Sequence, residues 1–404
     1  MVYQGINCSM NHKIKKLLYF DSVFSGARML TGSTAILYLM SRGLSIADIA
    51  FLKLLQHLVI LLMDVPSSYI ADRYSKRFII FVSVLCGSIW MVFTAYSPSV
   101  WWLFVAEMFN GFSLALYSGS FESLAINTAI SEGLKDPFII INWVTKYSFF
   151  FMALAAFFGG LFVKTQSSVF WWIGGILLFM LAVLAFYILP GDILQCTHDE
   201  NYKKSTGLSI KKDFHYITSL FNNINLMLII TIGIVVSLSY QVLIQYWQVL
   251  TYVPLEKNLV GKQGFVYSII FVIILLAQHF AGKISYEYHL KHLILALLLV
   301  SILLLIGNIW NIPLIIVIPI VTFFFFYRLS MVYLSKQTHR EIDNKLRATV
   351  ISISNTALRI LLVAFFLLIG IAIHYIGLNV VPVFILFFLL LCFLLSVGRH
   401  YLLK

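Results

Sequence analysis

Long apolar runs separated by short polar stretches fill the chain from residue 17 to residue 398. Most are close to the ~20 residues that a helix needs to cross ~30 Å of hydrocarbon. The pattern predicts spans at 17–40, 48–69, 77–96, 100–125, 138–163 and 169–190, and again at 223–250, 263–282, 292–310, 312–335, 347–375 and 380–398. Breaks fall at turn formers such as Ser97-Pro98-Ser99, Pro190-Gly191 and Asn311-Ile312-Pro313. Runs of this length exclude barrel strands. The expectation is an all-α membrane protein with 12 transmembrane helices in two six-helix bundles, 1–190 and 223–404, joined by a central loop, 191–222.

Charge sets the orientation. With the N-terminus in the cytoplasm, nineteen Lys and Arg fall in the cytoplasmic segments and four (Arg42, Lys164, Lys257 and Lys262) on the other side. Such an imbalance is the mark of an N-in, C-in topology. The run after Lys13, Lys15 and Lys16 is too long for a signal peptide and carries Asp21 and Arg28, so it reads as a retained first helix. In the central loop, residues 208–221 can be read as a plain connector or as an amphipathic surface helix.

Composition narrows the function. Of 404 residues, 61% are hydrophobic and 11% charged, with a mean hydropathy of +0.95. A soluble domain carries about 25% charged residues, so a soluble enzyme, a disordered chain and a nucleic-acid binder are all excluded. The net charge of +12 is explained by cytoplasmic loops rather than by nucleic acid. Cys8, Cys86, Cys196 and Cys392 lie far apart, and no metal-ligand spacing occurs. No phosphate-cradling GxxxxGK[ST] is present, so no cofactor is expected and the driving energy must come from a gradient.

Between spans 2 and 3, Asp64 is followed by Asp72-Arg73 and by Lys76-Arg77. An acid at a helix end beside three cations can pair with neighbouring helices in one conformation and release them in another. This segment resembles motif A of the major facilitator superfamily, with Ser68 and Ser75 where the family has glycines. Glu107 to Gly111 with Tyr117, Gly119 and Glu122 in span 4, Arg347 to Ser352 opening span 11, and Gly159-Gly160 in span 5 resemble the drug-efflux branch. Glu107 stands where that branch often has Arg, and the Gly-Pro preceding the span 5 glycines is missing. The resemblance implies the major facilitator fold, with Asp64, Asp72, Arg73, Lys76 and Arg77 as a gating segment.

Charges inside spans cost ~2.5–3.5 kcal/mol on insertion scales and are functional candidates. Here they are Asp21, Glu107 and Glu122 against Arg28, Lys53, Lys146, Arg328 and Arg359. Arg28 and Glu107 fall at similar depth and are expected to pair. Asp21 lies seven residues before Arg28, on the same helix face. Asp21, Glu107 and Glu122 are the proton-coupling candidates, although Asp21, Glu122 and Lys146 also suit plain interhelical pairs. Lys53 reads as a side chain snorkelling to the outer surface. The surplus of bases favours an anionic or zwitterionic small molecule, contacted by Arg28, Arg328 and Arg359 and by Gln241 and Gln245 of span 7. Trp247 reads as part of an interfacial belt. His57 and His279 read as structural, and Phe323 to Phe326 as facing lipid or packing between helices.

The expected protein is thus a monomeric multi-pass transporter of a bacterial inner membrane, surrounded by lipid and coupled to protons. The resemblance points to export of a toxic compound such as a peptide- or nucleotide-like antibiotic, as in self-immunity exporters of the nucleotide-peptide microcin type. Import of an anionic nutrient or siderophore-like molecule, and lipid flipping, remain as alternatives.

Overall fold

Helix starts and stops follow local chemistry. The computed structural model describes residues 12–73, 75–134, 139–162, 167–191, 223–255, 262–281, 290–341 and 347–402. Thirteen helices lie among these residues: α1 His12–Met29, α2 Ala35–Ser41, α3 Ile46–Arg73, α4 Lys76–Tyr96, α5 Val100–Ser131, α6 Ile139–Phe162, α7 Val169–Ile188, α8 Ile224–Leu255, α9 Lys262–Ala281, α10 Leu290–Trp310, α11 Pro313–Glu341, α12 Arg347–Ile376 and α13 Val380–Leu402. Ser45 and Asp48 open α3 with a reciprocal cap: the Asp48 amide donates to Ser45 Oγ at 3.1 Å and the Ser45 amide to Asp48 Oδ2 at 2.9 Å. Between α10 and α11, Asn311 takes a left-handed φ of 52° and Pro313 begins the next helix, where its missing N–H costs nothing.

Eleven of the helices, α3 to α13, are long and apolar enough to cross a membrane. The expected first span differs from a single helix over 17–40. It breaks into α1 and α2 around a turn at residues 30–34. There the Gly32 amide donates to the Met29 carbonyl, and the Thr31 and Thr34 hydroxyls turn back onto the carbonyls of Arg28 and Thr31. Such short-range bonds compete with the helical ladder. The central-loop segment at 208–221 lies outside the described residues.

The chain divides into two compact units. The first takes the described residues of Met1–Ile193, Leu255–Leu275 and Val363–His374; the second takes those of Leu194–Pro254, Leu276–Leu362 and Tyr375–Lys404. In the first unit α4 packs on α5 and α7, α3 on α5, and α1 on α6. Its core holds Leu17, Phe20, Tyr38, Met91 and Trp171, all buried. In the second unit α10 packs on α11 and α13. Helix α7 shows how the packing is arranged. It buries Gly174, Gly175, Ala182 and Ala185 and exposes Ile176, Phe179, Met180 and Val183. A Cβ on Gly174 would meet Met91 Sδ at 2.6 Å, and one on Gly175 would meet Val92 Cγ2 at 2.8 Å. Glycines and alanines at these inward positions let α7 approach its neighbours closely, and large apolar residues outward suit a lipid surround, where close van der Waals contact drives helix association.

Candidate functional site

The first unit holds a chain of buried polar groups across α1, α3, α4 and α5. Glu107, on α5, forms an ion pair with Lys53 of α3 at 2.5 Å. The carboxylate also accepts from Trp90 Nε1 at 3.1 Å and from Asn110 Nδ2 at 2.9 Å. Lys53 Nζ further donates to Gln56 Oε1 at 3.0 Å. On α1, Arg28 donates to Asn110 Oδ1 and to Ser113 Oγ, the latter at 3.3 Å. Its guanidinium lies 4.6 Å from the Trp90 ring centroid and 5.4 Å from that of Phe24. Arg28 and Glu107 are therefore neighbours joined through the two ends of the Asn110 amide.

Two expectations are corrected here. Glu107 takes Lys53 as its ionic partner rather than Arg28. Lys53 does not reach for the outer surface, because its side chain is only 15% exposed. The sequence carried a signal for this pair. Lys53 and Glu107 each lie seven residues into their helices, ~10 Å along the axis at ~1.5 Å per residue. In the expected topology both helices start on the same side of the membrane. Trp90 and Asn110 were not anticipated; nothing but the fold identifies them.

A second cluster lies two turns back along α1. Asp21 accepts from Tyr117 Oη at 2.8 Å and from Ser148 Oγ, so α1, α5 and α6 meet at one carboxylate. Tyr117 is sandwiched between Phe24, with centroids 3.9 Å apart, and Phe121 at 5.0 Å. Asp21 thus has hydroxyl partners where a cation had been one reading. Glu122 is exposed, Lys146 is half-buried, and no ion pair joins them among the described residues.

Of the gating segment, Arg77 Nη1 donates to the Phe186 carbonyl at 3.1 Å, holding the last turn of α7. Asp64 and Lys76 are half-buried and engaged with neighbours. The side chains of Asp72 and Arg73 lie outside the described residues. The span 5 glycines acquire a physical role. A Cβ on Gly159 would overlap the Leu30 backbone, and one on Gly160 would overlap that of Gly264. Both are crossings where main chain meets main chain, so only glycine fits. In the same unit, the buried His57 stacks on Phe366 with ring centroids 5.3 Å apart.

In the second unit, Arg328 Nε donates to Gln278 Oε1 at 2.7 Å, tying α11 to α9. Tyr240 of α8 stacks on Tyr327 of α11 with centroids 4.1 Å apart and planes 9° from parallel. Arg328 is within electrostatic reach of both tyrosines. Arg359, Gln241 and Gln245 are half-buried. Trp247 corrects another expectation: it is fully buried in this unit rather than part of an interfacial belt. Phe323 and Phe324 are also fully buried, packing between helices. His279 is exposed on α9.

This is the helical, membrane-spanning architecture of a transporter, and comparison with known proteins defines the class. The sequence profile of the Major Facilitator Superfamily matches residues 21–367, and the chain belongs to that superfamily. Among solved structures it resembles the nucleoside transporter NupG, with a TM-score of 0.74 at 13% identity, covering 98% of this chain and 100% of that one. It also resembles a bacterial homologue of the human lysosomal transporter Spinster, inward-facing and occupied, with a TM-score of 0.68 at 14% identity and 96% of each chain covered. Likeness at this level of identity is a likeness of fold. No curated protein sequence matches the chain. The protein is therefore a multi-pass membrane transporter.

Proposed function

We propose that this transporter is a monomeric, proton-coupled exporter of an anionic or zwitterionic small molecule. The observation that carries the reading is the charge balance of the spans. Leaving aside the span ends and the gating segment, five bases stand against three acids, and Glu107 is already engaged by Lys53. A carrier of lipophilic cations would need acids in excess. Within this reading α1 and α2 together form the first of twelve spans, with both termini in the cytoplasm. Asp21 and Glu107 exchange the proton. Burial disfavours a charged carboxylate and nearby donors favour it, so a carboxylate whose partners rearrange during transport changes its hold on a proton. The export direction rests on the resemblance of spans 4, 5 and 11 to the drug-efflux branch. A peptide- or nucleotide-like antibiotic fits the basic surplus.

Cells producing the protein, challenged with a panel of cationic, neutral and anionic antibiotics, test this reading. Protection is expected against anionic or zwitterionic members. It should be lost in Asp72→Ala and Arg73→Ala variants that still reach the membrane. Protection confined to lipophilic cations contradicts the charge argument. Sensitisation to the anionic members, the sign of import, contradicts the direction.

A further inference from the structure

Asn110 stands between the charges that α1 and α5 bring together, and both ends of its amide are used. Arg28 donates to Oδ1, and Nδ2 donates to Glu107 Oε1 at 2.9 Å. All three residues are buried, Asn110 being only 2% exposed. The orientation of the amide is forced from the Arg28 side. A guanidinium has five N–H donors and no acceptor, so it can face only the amide oxygen. With Oδ1 turned to α1, the NH2 group must face Glu107. The rest of the Glu107 shell has the same polarity. Lys53 Nζ at 2.5 Å and Trp90 Nε1 at 3.1 Å also donate, and neither an ammonium nor an indole N–H can accept. Gln56 Oε1, the next acceptor outward, is taken by Lys53 at 3.0 Å. Among the described residues, Lys53 from α3 and Arg28 from α1 are the charged groups beside Glu107, α4 contributes the uncharged Trp90, and α6 turns Ser148 to Asp21 in the neighbouring cluster with Tyr117. Such a shell suits a carboxylate, which only accepts. A protonated carboxyl has an O–H to donate, and none of the three partners can receive it. Asp21 offers a contrast. Its partners are hydroxyls, which donate to a carboxylate or, by turning the O–H, accept from a carboxyl.

We infer that Asn110 is the positioning residue that ties proton uptake at Glu107 to the contact between α1 and α5. While Arg28 holds Oδ1, Glu107 is offered donors alone. When α1 draws away from α5, Arg28 releases the amide, which turns over about its last side-chain bond. Oδ1 then accepts from the O–H that forms when a proton from water adds to one Glu107 oxygen. That proton must leave again before the amide turns back and Arg28 recovers its acceptor. The inference deepens the proposed function, since it rests on Glu107 exchanging a proton, and it adds the residue that links this exchange to helix movement.

Infrared spectroscopy of the purified full-length protein in lipid vesicles tests the relay without a substrate. The C=O band of protonated Glu107, identified by its loss in Glu107→Gln, is measured at one mildly acidic pH. Arg28→Met should raise this band severalfold, because the amide is then free to turn. In the Asn110→Leu background the same Arg28→Met change should leave the band where Asn110→Leu alone puts it. If Arg28→Met does not fold, Arg28→Lys, which keeps the positive charge and gives up the fork, should show the same pattern at smaller size. An equal rise in the two backgrounds would mean that Arg28 acts on Glu107 through its charge alone and would overturn the inference, as would no rise in either. Accumulation driven by a pH difference that stays at the wild-type level in Asn110→Leu proteoliposomes would overturn the role of Asn110 and leave the proposed function standing.

Discussion

The two halves of the chain handle buried charge differently. In the first, Asp21 and Glu107 and two of the three bases inside the membrane sit in local networks: Lys53 with Glu107, Arg28 with Asn110 and Ser113, Asp21 with Tyr117 and Ser148. In the second, away from the span ends, the predicted spans hold two arginines and no acid. A charge answered by its own neighbours stabilises a helix bundle, and it can pass a proton when those neighbours shift. Under the proposed function, proton handling would fall to the first half and recognition of the substrate's anion to the second.

The largest effect that would sharpen this contrast is expected at the Lys53–Glu107 pair. Removing one partner of a buried pair leaves the other charge stranded, at a cost of about 3–5 kcal/mol. Lys53→Met and Glu107→Gln should each lower the melting temperature sharply, and the double variant should recover most of it. Additive losses would mean that the two residues do not act as a pair.

Next in size is the Gly160–Gly264 crossing. Any side chain at Gly160 overlaps backbone, and overpacking of this kind typically costs about 1–3 kcal/mol. Gly160→Val should depress transport while leaving the Lys53–Glu107 pair intact. Full transport in that variant would show that α6 and α9 need not approach so closely.

The smallest effect is expected at Asp21. Asp21→Asn keeps one acceptor oxygen for Tyr117 or Ser148 and gives up the other bond, a loss of about 1 kcal/mol. Stability should barely change, whereas pH-driven flux should fall. A variant with full pH-driven flux would remove Asp21 from the proton path.

The helices were largely legible in the sequence because apolar runs of membrane length leave few alternatives, and α4, α7, α10 and α13 lie close to their predicted bounds. The break in the first span was not. Thr31, Gly32, Ser33 and Thr34 are each tolerated within a membrane helix, and only the bonds of Thr31, Gly32 and Thr34 back to preceding carbonyls show that the ladder stops there. Depth along a helix was legible too, since rise per residue is fixed. Azimuth was not. Arg28 and Lys53 were both deep enough to meet Glu107, and which one does depends on how α1 and α3 are rotated against α5. The burial of Trp247 was hidden for the same reason, because a Trp near a helix end reads as an anchor until its face is known.

The central claim is the division of labour between the halves, and reconstituted transport tests it most directly. The anionic compound against which the protein protects most strongly is loaded into proteoliposomes. Exchange without a pH difference is then compared with accumulation driven by one. The Lys53→Met/Glu107→Gln double variant should retain exchange and lose pH-driven accumulation, whereas Arg328→Gln should lose both together. PH-driven accumulation at the wild-type level in the double variant, or full exchange in Arg328→Gln, would contradict the account.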